Sequence, residues 1–136
     1  MLVTMKQFSK LTLVLLLFIS STAIFAQEAS EECTVKYNLF RGDFKTNNYD
    51  TAYDYWIWVF ENCPTLSVNI YKNGMEIAEH RYKNATSSIE KEKALALVKR
   101  VVEQRIKYYP TDDVAKVYSD LAEFMETAGC KDDDVY

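Results

Sequence analysis

The chain has 136 residues, 16 basic and 20 acidic, giving a formal charge of −4, with 49% hydrophobic residues but only three glycines and two prolines. An acidic balance disfavours nucleic acid, which a binding domain meets with a basic face. So little glycine and proline disfavours a turn-rich β fold and favours helices.

Residues 1–26 read as a cleaved secretory signal. Lys6 and Lys10 give a positive start, residues 11–19 an apolar core, and residues 20–26 a small-residue exit ending in Phe25-Ala26-Gln27. The apolar run is shorter than the about 20 residues a membrane span needs, a retained signal anchor being the alternative. Cys33 follows Ser30-Glu31-Glu32, so it does not look like a lipidated first residue. Removal of two lysines and no acid takes the formal charge from −4 to −6. Residues 27–136 are then expected to form one exported domain with no membrane span, periplasmic or associated with the outer envelope.

Residues 34–45 are the first expected helix of this domain, with Val35, Leu39, Phe40 and Phe44 as its apolar side. Gly42 offers room for a neighbouring helix, and Asn47-Asn48 a turn. The stretch 48–64, NYDTAYDYWIWVFENCP, holds both tryptophans, and its apolar run 55–60 suits either a buried strand or a helix. Asp50 as N-cap and the spacing of Ala52, Trp56, Val59 and Phe60 favour the helix, which Pro64 then stops. Antiparallel packing of these two helices across the turn brings Cys33 and Cys63 to the same end, so a disulfide is expected, with two reduced cysteines as the alternative. Cys130 is left over, either free or paired outside the chain.

Two readings compete over residues 67–82. Asn73-Gly74 between Val68, Ile70, Met75 and Ile77 is a hairpin signal. Against it, alternation fails at Glu79 and Arg81, whereas Val68, Tyr71, Met75, Ala78 and Tyr82 follow helical spacing. Ser87-x-x-Glu90 is a capping box opening a long helix with a stripe of Leu95, Val98, Val101, Val102, Ile106 and Tyr109. Lys91, Glu92, Lys93, Lys99, Arg100 and Glu103 read as its solvated face. Thr111-Asp112-Asp113 caps a last helix with Val114, Val117, Leu121 and Met125 inward and Gly129 as its stop. Asp132, Asp133 and Asp134 before Val135-Tyr136 look like the start of another helix, as if the domain were incomplete at its C-terminus.

The offsets of Ala52, Trp56, Val59 and Pro64, with Leu39 and Tyr49 upstream, resemble the packing motif of a tetratricopeptide repeat. The first half is degenerate, with Lys36 where the motif has tryptophan and Phe40 where it has glycine, as terminal repeats often are. With the signal and the paired cysteines, the chain resembles the N-terminal part of a tetratricopeptide-repeat protein of a Gram-negative bacterial envelope. The resemblance implies an all-α fold, antiparallel helix hairpins stacked as an α-solenoid of about five helices after the signal. It places Gly74 at a helix crossing point. It also implies that first helices of successive repeats line a protein-binding groove, which would present Tyr37, Arg41 and Lys45 from one helix and Tyr71, Lys72 and Glu79 from another.

Catalytic chemistry is sparse. His80 is the only histidine and sits between Glu79 and Arg81, where an exposed position is expected; there is no nucleophile elbow or phosphate-cradling loop, and no cysteine pair with zinc spacing. The aspartate runs lack the alternation of a calcium loop. The expectation is a protein-interaction scaffold, not an enzyme, with no cofactor, no metal and an unidentified protein partner. The other reading is a small disulfide-stapled α+β inhibitor or ligand-binding protein presenting an Asn73-Gly74 hairpin.

The signal reading predicts a mature N-terminus at or near Gln27. Intact mass or N-terminal sequencing of the exported protein measures it, and uncleaved chain held in the membrane would contradict it.

Overall fold

The computed structural model describes residues 31–130. Residues 1–26, expected to be a signal, Gln27 and the run Asp132, Asp133, Asp134, Val135, Tyr136 lie outside the described residues. By internal contacts the chain divides into two units, Met1–Val35 and Lys36–Tyr136. Of the first, residues 31–35 are described; they are helical, with Val35 exposed and Cys33 half-buried. The same helix, α1, is helical over 31–45 and so opens the second unit, followed by α2 (Tyr49–Asn62), α3 (Asn69–Asn84), α4 (Ser88–Tyr108) and α5 (Val114–Thr127). The five helices occur with no strand among the described residues, so the fold is all-α as expected. Cys33 and Cys63 are disulfide-bonded. Closing a loop of about 30 residues is worth roughly 3–4 kcal/mol on the chain-entropy account.

Each turn follows from local chemistry. Asn47 takes a φ of 60°, a left-handed conformation that asparagine tolerates, and reverses the chain between α1 and α2. The cap of α2 is Asn48 and not Asp50, and it makes no side-chain cap hydrogen bond; Asp50 instead lies in the first turn, where its charge meets the positive end of the helix. Ahead of Pro64, α2 closes with the Cys63 N–H donating to the Val59 carbonyl. Ser87 and Glu90 form the expected reciprocal capping box, and Asp113 accepts from the Lys116 N–H at 3.0 Å. At the end of α5, Gly129 adopts φ 69° and the N–H groups of Gly129 and Cys130 reach back to the carbonyls of Glu126 and Met125. That is the hydrogen-bond pattern of a Schellman stop, which needs the left-handed glycine.

The core forms where α2 crosses α3. Ala52, Trp56, Val59 and Phe60 from α2 and Ile70, Tyr71, Ile77 and Ala78 from α3 are fully buried, together with Phe40 from α1. The rings of Trp56 and Phe60 stack at 5.0 Å, Phe60 meets Tyr71 edge-on at 5.8 Å, and Tyr71 meets Tyr109 at 5.7 Å. Gly74 is the point of closest approach. A Cβ built there would stand 2.5 Å from Trp56 Cζ2 and 2.7 Å from its Cε2 and Nε1. The indole Nε1–H donates to the Ile70 carbonyl at 2.7 Å, so the ring lies flush on the α3 backbone one turn before the glycine.

This contact settles residues 67–82. The hairpin reading fails because Asn73-Gly74 is mid-helix, where the glycine is used for its missing side chain and not for a turn. Gly42, in contrast, has nothing within 4 Å of a built Cβ and makes no close approach. The buried side of α1 is also rotated from the expected one. Phe40 is fully buried and Tyr37, Arg41 and Phe44 half-buried, whereas Val35 is 57% and Leu39 45% exposed. On α4 the buried stripe runs through Ala94, Leu97, Val98, Val101, Val102 and Arg105, with Leu95, Ile106 and Tyr109 only half-buried. On α5, Phe124 joins Val117, Leu121 and Met125 inward, and Val114 is half-buried.

Within the second unit, consecutive helices are antiparallel. Tyr49 meets His80 and Phe60 meets Tyr71 along α2 and α3; Lys91 lies over Tyr82 while Tyr109 meets Tyr71 along α3 and α4. Arg105 joins Asp112 at the turn into α5, and Tyr82 reaches Phe124 and Ala128 at its far end, so α5 runs parallel to α3.

Gly74→Ala raises helix propensity yet is expected to lower stability by about 1–3 kcal/mol through overpacking against Trp56. Gly42→Ala, on an exposed helical position, is expected to be neutral or stabilising by up to about 1 kcal/mol. Chemical denaturation compares them, and equal effects would contradict the close approach.

Candidate functional site

A groove with a cavity volume of about 810 Å³ opens between α3 and α5 with α4 beneath it. Val117, Leu121, Phe124 and Met125 bury α5 along its length, and side-chain ties hold its two ends. At one, the Arg105 guanidinium holds Asp112, with Nε and Nη2 both 2.7 Å from Oδ2. At the other, the Tyr82 ring meets Phe124 edge-on at 5.3 Å, and its hydroxyl donates to the Ala128 carbonyl at 3.3 Å. Between the ties the floor is apolar, built from Met75, Val101, Val102 and Val117, and the walls carry charge.

Arg105 is the one buried charged residue among the described residues, 9% exposed. Its hydrogen bond, followed by its charge, holds the Asp112 carboxyl below the usual carboxylate range. On the α3 wall Glu76 behaves oppositely. Partial shielding from water, and then repulsion from Glu79, push its carboxyl up. Lys83 pairs with Glu79 at 3.5 Å and Lys116 with Asp120 at 2.8 Å, both along one helix and both exposed, so each adds little to stability.

The six residues expected in a groove are divided by the structure. Tyr71, Lys72 and Glu79 all line it. Tyr71 does so with its ring, since it is fully buried and its hydroxyl donates to the Pro64 carbonyl at 2.9 Å; burial pushes that phenol up. Tyr37 and Arg41 sit elsewhere. The Tyr37 hydroxyl donates to Ser67 Oγ at 3.0 Å and accepts from Arg41 at 3.0 Å, tying α1 to the start of α3. Burial alone would raise the Tyr37 phenol, but the Ser67, Arg41 and Asn69 hydrogen bonds outweigh it and the net shift is downward. Lys45 is exposed and does not line the groove. Among the residues of the repeat motif, Ala52, Trp56 and Val59 are fully buried, Pro64 and Tyr49 half-buried, and Leu39 exposed.

Sequence reading missed Arg105, Glu76 and the whole α5 wall. Arg105 was visible in principle, because Val98, Val101, Val102 and Arg105 fall at i, i+3, i+4 and i+7, which puts an arginine inside a buried stripe. His80 also differs from expectation. It is half-buried, its ring 4.8 Å from that of Tyr49, and its Nδ1 is buried with no hydrogen-bond partner. It lines a second cavity of about 550 Å³ at the end of α3, beside Tyr53, Arg81 and Arg100. There Arg81 stacks on Tyr53 at 3.8 Å, and Arg100 pairs with Glu61 at 3.3 Å. No group of three or more histidine, cysteine, aspartate or glutamate residues is placed to hold a metal ion among the described residues.

Asp112→Asn removes the counter-charge of a buried arginine and is expected to cost about 1–3 kcal/mol. Because the native carboxyl is depressed, its contribution is present above the unfolded value and is lost as pH falls below about 4. The variant should therefore lose less stability than the native chain over that acid window. Parallel thermal melts against pH measure this, and identical acid slopes would contradict it.

Comparison with protein-family models, with curated proteins and with solved structures returned no significant match.

Proposed function

We propose that the chain is an exported, tetratricopeptide-like helical repeat domain that binds other proteins through the groove between α3 and α5. The observation that carries this reading is the groove itself, in which an apolar floor of Met75, Val101, Val102 and Val117 is rimmed by charged side chains. An apolar centre with a polar rim is the composition of a protein-binding patch. The helix contacts support the repeat reading. α3 and α5 run parallel and flank the groove, Tyr37 joins α1 to the start of α3, and Arg100 joins α4 to α2 through Glu61 and Phe60. These contacts are compatible with the alternation of first and second helices in stacked repeats.

The export part rests on the signal-like residues 1–26 and on the Cys33–Cys63 disulfide, a bond that persists in oxidising compartments such as the periplasm. No helix among the described residues is long and apolar enough to cross a membrane. A scaffold in the cell envelope, acting by binding and not by catalysis, is the role these features support best.

Site-specific photo-crosslinking tests it. A photoreactive residue at position 72 or 79, in the groove, is expected to trap a discrete protein species in cells, while one at the exposed positions Asp54 or Glu103 is not. Trapping from Asp54 or Glu103 alone would move the binding surface to another face.

A further inference from the structure

The two ties at the ends of the groove limit what enters it. Between Lys72 and Tyr82, α3 rises about 15 Å at 1.5 Å per residue, so an occupant engages over a short segment and not over a long helix. The middle of that span is acidic on both walls, with Glu76 and Glu79 on α3 and Asp120 and Glu123 on α5. Glu79 and Asp120 already have cations from their own helices in Lys83 and Lys116. Glu76 and Glu123 take part in none of the ion pairs of the second unit described above. The remaining groove cations stand at the ends. Lys72 and Arg105 act on Asp112, and Lys91 lies 5.8 Å from the Tyr82 ring centre.

We infer that the groove takes a short segment of a partner protein in which a lysine or arginine stands beside a bulky apolar side chain. The cation lies between Glu76 and Glu123, and the apolar side chain rests on the half-buried Met75, beneath which Val101, Val102 and Val117 are sealed. This rests on the reading of the groove as a protein-binding surface and adds the chemistry of the ligand. The charge pattern carries it, since Lys83 and Lys116 pair with Glu79 and Asp120 and leave one carboxylate on each wall, Glu76 and Glu123, outside these ion pairs. Glu76 gains most, because the shielding and the neighbouring Glu79 that now disfavour its anion would then be offset by a positive partner.

Three synthetic peptides of equal length, alike except for a central Leu-Arg-Leu, Leu-Glu-Leu or Ser-Arg-Ser, are titrated into the disulfide-bonded protein by calorimetry and methyl nuclear magnetic resonance. The Leu-Arg-Leu peptide is expected to bind and to shift the Met75, Val101 and Val102 methyl signals, with the other two at least about tenfold weaker, the size of one charge-assisted or one apolar contact. Glu76→Gln and Glu123→Gln should each weaken it about three- to tenfold without changing helicity, whereas Glu103→Gln, outside the groove, should not. Equal binding of all three peptides, or preference for Leu-Glu-Leu, overturns the inference. If no peptide binds while groove crosslinks still form, the basic-apolar chemistry is wrong and the binding surface stands; if neither is seen, both fall.

Discussion

The flush contact of the Trp56 indole with the α3 backbone at Gly74 is the constraint on which the rest of the fold depends. An indole lying on a helix backbone needs a residue without a side chain beneath it, and its N–H needs an acceptor in a dry place. Gly74 meets the first need and the Ile70 carbonyl the second. With the two backbones this close, Phe60 stacks on Trp56 and Tyr71 closes on Phe60, so the aromatic series leads from α2 through α3 to Tyr109 after α4. The crossing therefore determines where α4 docks.

The groove is the consequence further along the chain. α4 lays its apolar stripe under α3, and α5 buries Val117, Leu121, Phe124 and Met125, with ties at its ends through Arg105–Asp112 and through Tyr82 with Phe124 and Ala128. Val101, Val102 and Val117 are sealed at the base of the groove beside the half-buried Met75, and charged side chains line its mouth. The part-buried ion pair at one end positions the start of α5 more than it adds stability. The disulfide holds Cys63, which is buried just after α2.

How much of this was legible in the residues depended on how local each signal was. Capping boxes, proline stops and a left-handed glycine work over a few residues, so Ser87-x-x-Glu90, Pro64 and Gly129 marked helix ends that the structure has. The cysteine pairing was legible because two helices joined by a tight turn leave little choice about which ends meet. What was not legible is the rotation of each helix about its own axis. Val35 and Leu39 look as apolar as Phe40, and only the partner surface decides that Phe40 goes in and Leu39 stays out. The same ambiguity hid Arg105, which reads as surface charge until Asp112 is known to lie across the turn. Asn73-Gly74 kept a hairpin open beside the helix for a related reason, since that local pattern is overridden by a contact with Trp56, eighteen residues before the glycine. Tyr71, Lys72 and Glu79, singled out by analogy, line the cavity beside α3, and the α5 wall was out of reach because the geometry of a third helix follows from two crossings at once.

The most direct measurement of the central contact is hydrogen exchange at the two indole N–H groups. Trp56 is fully buried with its N–H bonded to the Ile70 carbonyl, whereas Trp58 is half-buried on the same helix. The Trp56 indole proton is expected to exchange only with global unfolding, and that of Trp58 orders of magnitude faster. Exchange of Trp56 as fast as Trp58 would mean that the indole does not lie sealed against Gly74, and the account of the fold built on that crossing would be wrong.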